Sequence, residues 1–229
     1  MRQNSRQNNN MRPKKGDQTR KGNIFRNIFL YFCRLNCNFR LEQPEIDMQT
    51  NISTVMNGLA DYIDIFDDIL RYGHETYERY PPEFVVDHDA STQAHCTFRH
   101  ILSKALGELA ELPQVKHFDI RGQNLWLIEA ANCIIRFKKT DENGSSSNYP
   151  TPQAVAFDAG ETLPGMPTEP TRLTVGYLLD ATGSQYVRSQ VSLPLKGFGW
   201  CAAITPSALR NENEAAWYEV TKQTRFAAL

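Results

Sequence analysis

The run RLTVGYLLDATGSQYVRSQVSLP, residues 172–194, decides the fold. Its flanks, Arg172 to Asp180 and Ser184 to Pro194, are rich in β-branched and aromatic residues. The second flank alternates Tyr186, Arg188, Gln190 and Ser192 against Val187, Ser189, Val191 and Leu193. Between them stands Ala181-Thr182-Gly183, a short glycine-containing connector of the kind that joins hairpin strands. Neighbours on a strand face opposite sides, so one of Tyr177 and Leu178 is expected to point inward and the other outward.

Upstream of the hairpin the pattern stays strand-like as far as Pro113. Three short strands are predicted at Gln114–Arg121, Leu125–Glu129 and Cys133–Lys139, with turns at Gly122-Gln123-Asn124 and Ala130-Ala131-Asn132. Residues 141–152 and 158–170, rich in Gly, Pro and Ser, read as loops, and 198–204 as a last core strand. Before Pro113 the period is helical. Leu59, Ile63, Phe66, Ile69, Leu70 and Tyr77 define one helix over residues 55–80, stopped by Pro81-Pro82, with Asp61, Asp64, Asp67 and Asp68 as its solvated face. Residues 83–90 read as an extended connector. A second helix is expected over residues 91–112, capped by Ser91 or Asp89 and carrying Phe98, Ile101, Leu102, Ala105, Leu106 and Leu109 inward. Residues 206–229 read as a polar terminal helix. The fold class that follows is α+β, a helical N-terminal half packed on a mainly antiparallel sheet.

The formal net charge of −1 conceals a division. Residues 1–41 carry ten Lys or Arg and a single acid, Asp17; the remaining residues carry 15 basic and 25 acidic side chains. Residues 1–47 therefore read as a basic, disordered tail or as an over-extended start ahead of Met48 or Met56; residues 48–205 read as a single α+β domain and 206–229 as an extension. The longest apolar run in the tail, Ile28 to Cys33, is far short of the roughly 20 residues of a membrane span. Five cysteines at 33, 37, 96, 133 and 201 show no metal-binding spacing and suit reduced thiols in a cytoplasm. No cofactor motif is present in the sequence, and no metal site is expected.

One set of residues suggests chemistry. Asp119, Glu129 and Lys138 or Lys139 fall on successive predicted strands, as acids and a lysine do in metal-dependent nucleases. Such sites place an acid two positions before the lysine, where this chain has Arg136. Arg136, Lys138 and Lys139 read otherwise as a basic patch for nucleic acid, or as an ordinary strand whose lysines protect a sheet edge. Asp87-His88-Asp89 is an exposed loop triplet, and His95 and His100, five apart, do not share a helix face for zinc.

Ile135-Arg136-Phe137-Lys138-Lys139, Asp141-Glu142-Asn143, Asn148-Tyr149-Pro150-Thr151, the Leu-Pro-Gly-Met-Pro loop at 163–167 and the run 173–180 carry a likeness. Over roughly residues 50–205 the chain resembles a group of bacterial proteins encoded beside helix-turn-helix and zinc-metallopeptidase-like genes. That arrangement is similar to toxin–antitoxin or phage-defence pairs on mobile elements. The resemblance implies a non-enzymatic role whose partner is a protein, the neighbouring gene product, and it assigns no active-site residue. Acidic side chains such as Asp64 and Asp68 would meet a basic partner. A cryptic metal-dependent nuclease or nucleic-acid-binding protein is the alternative.

Overall fold

The computed structural model describes residues 51–120, 122–146, 151–159, 170–194 and 199–220. The expected N-terminal tail, most of the second long loop and the last nine residues lie outside this set. The first helix, α1 (Ile52–Gly58), begins at Asn51, whose side chain accepts the N–H groups of Ser53 and Thr54. A 3₁₀ turn at Ala60–Tyr62 then leads into α2 (Ile63–Glu78). The single helix expected over 55–80 is thus broken at Leu59, which lets Val55, Met56 and Leu59 enter the same core as α2.

The extended connector expected over 83–90 begins instead with a helical turn, α3 (Pro82–Val85). Pro82 sits in its first turn, where a missing N–H is harmless and a fixed φ suits the helix. Asp89 caps the next helix, α4 (Ala90–Glu108), accepting the Thr92 N–H at 2.7 Å. Helices α2 and α4 pack closely at Gly73, where any Cβ would stand 2.3 Å from Ile101 Cγ1. The aspartate face of α2 is only partly solvated. Asp67 is 6% exposed, because it shares the inward stripe with Ile63, Phe66 and Leu70.

A seven-stranded sheet follows: β1 (Val115–Ile120), β2 (Gln123–Ile128), β3 (Cys133–Lys139), β4 (Thr171–Leu179), β5 (Tyr186–Ser192), β6 (Cys201–Ile204) and β7 (Trp217–Glu219). The strands lie side by side in chain order, and every neighbouring pair is antiparallel except β3 with β4. The connection between those two carries a helix the periodicity did not reveal, α5 (Pro152–Asp158), capped by Thr151. Of the terminal helix expected over 206–229, the described residues 206–220 show only a 3₁₀ turn at Ser207–Leu209. Trp217 packs against the core, Tyr218 is exposed, and antiparallel pairing with β6 makes this segment strand β7.

The helices cover one sheet face, where Trp126 and Phe137 meet edge to face at 5.0 Å and Phe66 joins them at 6.2 Å from Phe137. On the other face a smaller cluster of Leu125, Ile134 and Phe157 lies beneath α5. Burial on both faces corrects the expectation for the hairpin: Tyr177 is 2% exposed and Leu178 8%. It also narrows the edge-strand reading of Cys133–Lys139: β3 lies between β2 and β4, and only its residues beyond Ile135 lack a partner on the β2 side. Among the described residues no helix is long and apolar enough to cross a membrane.

Candidate functional site

The nuclease-like set is not assembled. Asp119 sits beside the β1–β2 turn and accepts the Gly122 N–H at 2.9 Å. Glu129 lies at the opposite end of that hairpin, beyond the Val115–Ile128 pair, and forms an ion pair with Lys116 at 2.5 Å. Five residues of strand, roughly 16 Å at about 3.3 Å per residue, separate the two acids. Lys138 belongs to a third neighbourhood, beside α4.

Asp64 and Asp68 serve as internal ties. Both oxygens of Asp64 accept from Arg210 Nη2 at 2.7 Å, fastening the segment after β6 to α2. Asp68 reaches Lys104 of α4 at 3.1 Å, and Lys104 also holds Glu108 at 2.7 Å. These two carboxylates raise the Lys104 pKa above its usual value. Arg136 is structural as well. Buried on the face beneath α5, it donates to Thr174 Oγ1 at 3.1 Å and Asp158 Oδ1 at 2.5 Å, with its guanidinium 4.3 Å from the Phe157 ring centre. Burial pulls its pKa down and Asp158 partly restores it. Arg172 donates to the Ala156 and Phe157 carbonyls, so two arginines clamp α5 to the sheet.

A second polar centre, between α2 and β5, has the composition of a catalytic site. Asp67 accepts from Arg71 at 2.8 Å and from Ser189 at 2.5 Å, and Ser189 shares a short hydrogen bond with Tyr186. His74 lies alongside, 3.2 Å from Glu78. Ser189 is 0% exposed and bonds directly to the carboxylate, with no histidine between them as a general base. The centre stitches helix to strand. Sequence alternation missed it because Val187 is an extra residue in the β4–β5 register: Leu178 pairs with Arg188 and Leu179 with Tyr186. This bulge brings Tyr186 onto the Ser189 face.

An open cleft of about 320 Å³ lies between α4 and the end of β3. Ser91, Ala94, His95 and Phe98 line it from one helix face, spaced i, i+3, i+4, i+7. Opposite stand Lys138, Lys139 and Tyr177. Pairing of β2 with β3 ends at Trp126–Ile135, so the last residues of β3 are released on that side. The described residues include four lysines. Lys104 and Lys116 pair with acids, whereas Lys138 and Lys139 do not. The Lys138 ammonium lies 5.7 Å from the Phe98 ring centre. Its pKa is lowered by burial first and by the like charge of Arg136 second, against a smaller upward pull from Asp158. The sequence named both lysines. On α4 the sequence marks Ser91 as a candidate cap and Phe98 as part of an apolar stripe, and nothing in it places either beside the lysines.

A further surface feature is the turn carrying α3. Phe84 and Val86 are 66% and 76% exposed, and Glu83, Asp87 and Asp89 flank them. The turn is anchored where the Tyr77 hydroxyl meets His88 Nδ1 at 3.2 Å. Elsewhere, a hollow of about 410 Å³ beside the β4–β5 turn is bordered by Asp180. Hydrogen bonds from Thr182, Gln185 and Ser184 hold this carboxyl down to about 2, so it shapes the turn. Among the described residues no group of three or more His, Cys, Asp or Glu is placed to hold a metal ion. The chain matches no protein-family model, no curated protein and no solved structure.

Proposed function

We propose that this chain is a non-enzymatic, protein-binding component of a bacterial two-gene module of the toxin–antitoxin or defence kind, acting in the cytoplasm on its neighbouring gene product. The observation that carries the reading is the α3 turn. Two large apolar side chains, Phe84 and Val86, stand in water between acidic neighbours, at a cost in solvation that a docked partner would remove. Their acidic rim suits a basic partner, as does the acid excess beyond residue 41. The separation of Asp119, Glu129 and Lys138 supports a role without phosphodiester cleavage.

The test is capture of the neighbouring gene product by the purified chain. Phe84→Ser with Val86→Ser should weaken capture at least tenfold without lowering the melting temperature, since neither side chain is in the core. Plasmid DNA and RNA should survive incubation with the protein and Mg²⁺. Cleavage that disappears in Glu129→Ala, with no partner captured, would replace this reading with the nuclease.

A further inference from the structure

We propose that the Lys138–Lys139 cleft binds a compact oxyanion, the phosphate or carboxylate group of a small molecule. The inference goes beyond the protein-binding reading and stands on different residues. Its basis is an unbalanced charge. Two adjacent lysines border a concavity whose lining, among the described residues, contains no carboxylate, in a chain with more acids than bases beyond residue 41. Well-placed acids could have neutralised both, as Asp68 and Glu108 do Lys104 and Glu129 does Lys116. Held half-buried and without an ion pair among the described residues, they leave positive charge facing the concavity, an arrangement that attracts an anion.

The remaining lining fits this ligand class. Ser91 and His95 add polar groups from the opposite wall, and Phe98 and Tyr177 add apolar surface for the rest of a small molecule. The volume of about 320 Å³ falls at the lower end of ligand pockets, which span about 300–1,000 Å³. The amides of the first turn of α4 are not the attraction, because the Asp89 carboxylate already accepts the Thr92 N–H. The lysines supply the charge.

Thermal unfolding of the full chain should be followed while sodium phosphate or sodium succinate is titrated at ionic strength held constant with sodium chloride. A saturable rise in melting temperature with one of the two, absent with chloride, is expected, and the anion that saturates identifies the group recognised. Lys138→Gln and Lys139→Gln should each raise the half-saturating concentration about tenfold, which corresponds to about 1.4 kcal/mol. Lys116→Gln, whose partner is Glu129 outside the cleft, should leave it unchanged. If Lys138→Gln fails to fold, the half-exposed Lys139 carries the same test. A flat response to both anions, or one undiminished in either cleft variant, overturns the proposal. Partner capture measured on the same variants separates the two readings, since losing the anion response with capture intact refers to the cleft alone.

Discussion

Ser189 stands 122 residues from Asp67 along the chain and 2.5 Å from it across the core. The bond joins the middle of α2 to the middle of β5. Asp67 accepts from Arg71 with its second oxygen, so a single carboxylate holds two donors in a nearly water-free position. Asp67→Ala should cost about 2–3 kcal/mol, the range for charge-assisted bonds whose partners are left unsatisfied, and Ser189→Ala about 1–2 kcal/mol. In urea denaturation the double variant should fall short of the sum of the single losses. Strict additivity would mean that the two side chains do not share an interaction.

Tyr177 and Leu178 should both resist a negative charge. Tyr177 faces the helices and Leu178 the other side of the sheet, yet both are buried. Tyr177→Asp, which buries a carboxylate without a partner, should cost about 3 kcal/mol or more, and Leu178→Asp less, because Arg188 stands opposite it on β5. Soluble yield and urea midpoints provide the check. A cost-free Leu178→Asp would show that its face is open to water.

Two helical glycines should respond in opposite directions. At Gly73 a methyl group would meet Ile101 Cγ1 at 2.3 Å and the Thr97 carbonyl at 3.1 Å, so Gly73→Ala must push α2 and α4 apart. A loss of about 1–3 kcal/mol is expected from overpacking. At Gly107 nothing lies within 4 Å, and Gly107→Ala should add about 0.5–1 kcal/mol through helix propensity alone. Melting temperatures of the two variants should lie on opposite sides of the wild type.

Stability should fall in alkali. Burial raises the Cys133 thiol from 9.0 to about 12 and the Tyr177 phenol from 10.0 to about 12, and it raises Tyr186 as well. These groups ionise more readily in the unfolded chain, so their full contribution is present below about pH 9 and is lost progressively as pH rises toward 12. Tyr177→Phe removes one of these ionisations, and its urea midpoint should decline less steeply between pH 9 and 12 than that of the wild type. Parallel decline would mean that the Tyr177 hydroxyl reaches water in the folded state.

Where strand-forming residues, turns and caps signal locally, sequence and structure agree closely. Cys133–Lys139 is a strand with the expected limits, Asp89 caps the second long helix, and the 172–194 run is a hairpin. The disagreements arise where tertiary contacts override local pattern. Val187 shifts the strand register without any glycine or proline to announce it. The seven-residue α5 is too short for helical periodicity, and two arginines from neighbouring strands hold it in place. The cleft was half visible: its lysines stand out in the sequence, while Ser91, His95 and Phe98 meet them only because α4 crosses the end of β3.

The single parallel pairing has a consequence for how the chain reaches this state. Strands β1 to β3 and strands β4 to β7 each form a meander of sequential neighbours, which closes through local contacts. Among the strand pairings of the sheet, only the β3–β4 seam joins residues as far apart as Arg136 and Thr174, 38 positions distant. Long-range closure carries the larger entropic cost, so the seam is expected to form after the two meanders, on the native side of the folding barrier. Thr174→Val, which removes the acceptor for Arg136 Nε, should therefore accelerate unfolding and leave the refolding rate nearly unchanged. The arginine that the sequence offered as a surface contact then acts as the latch that keeps the assembled sheet from reopening.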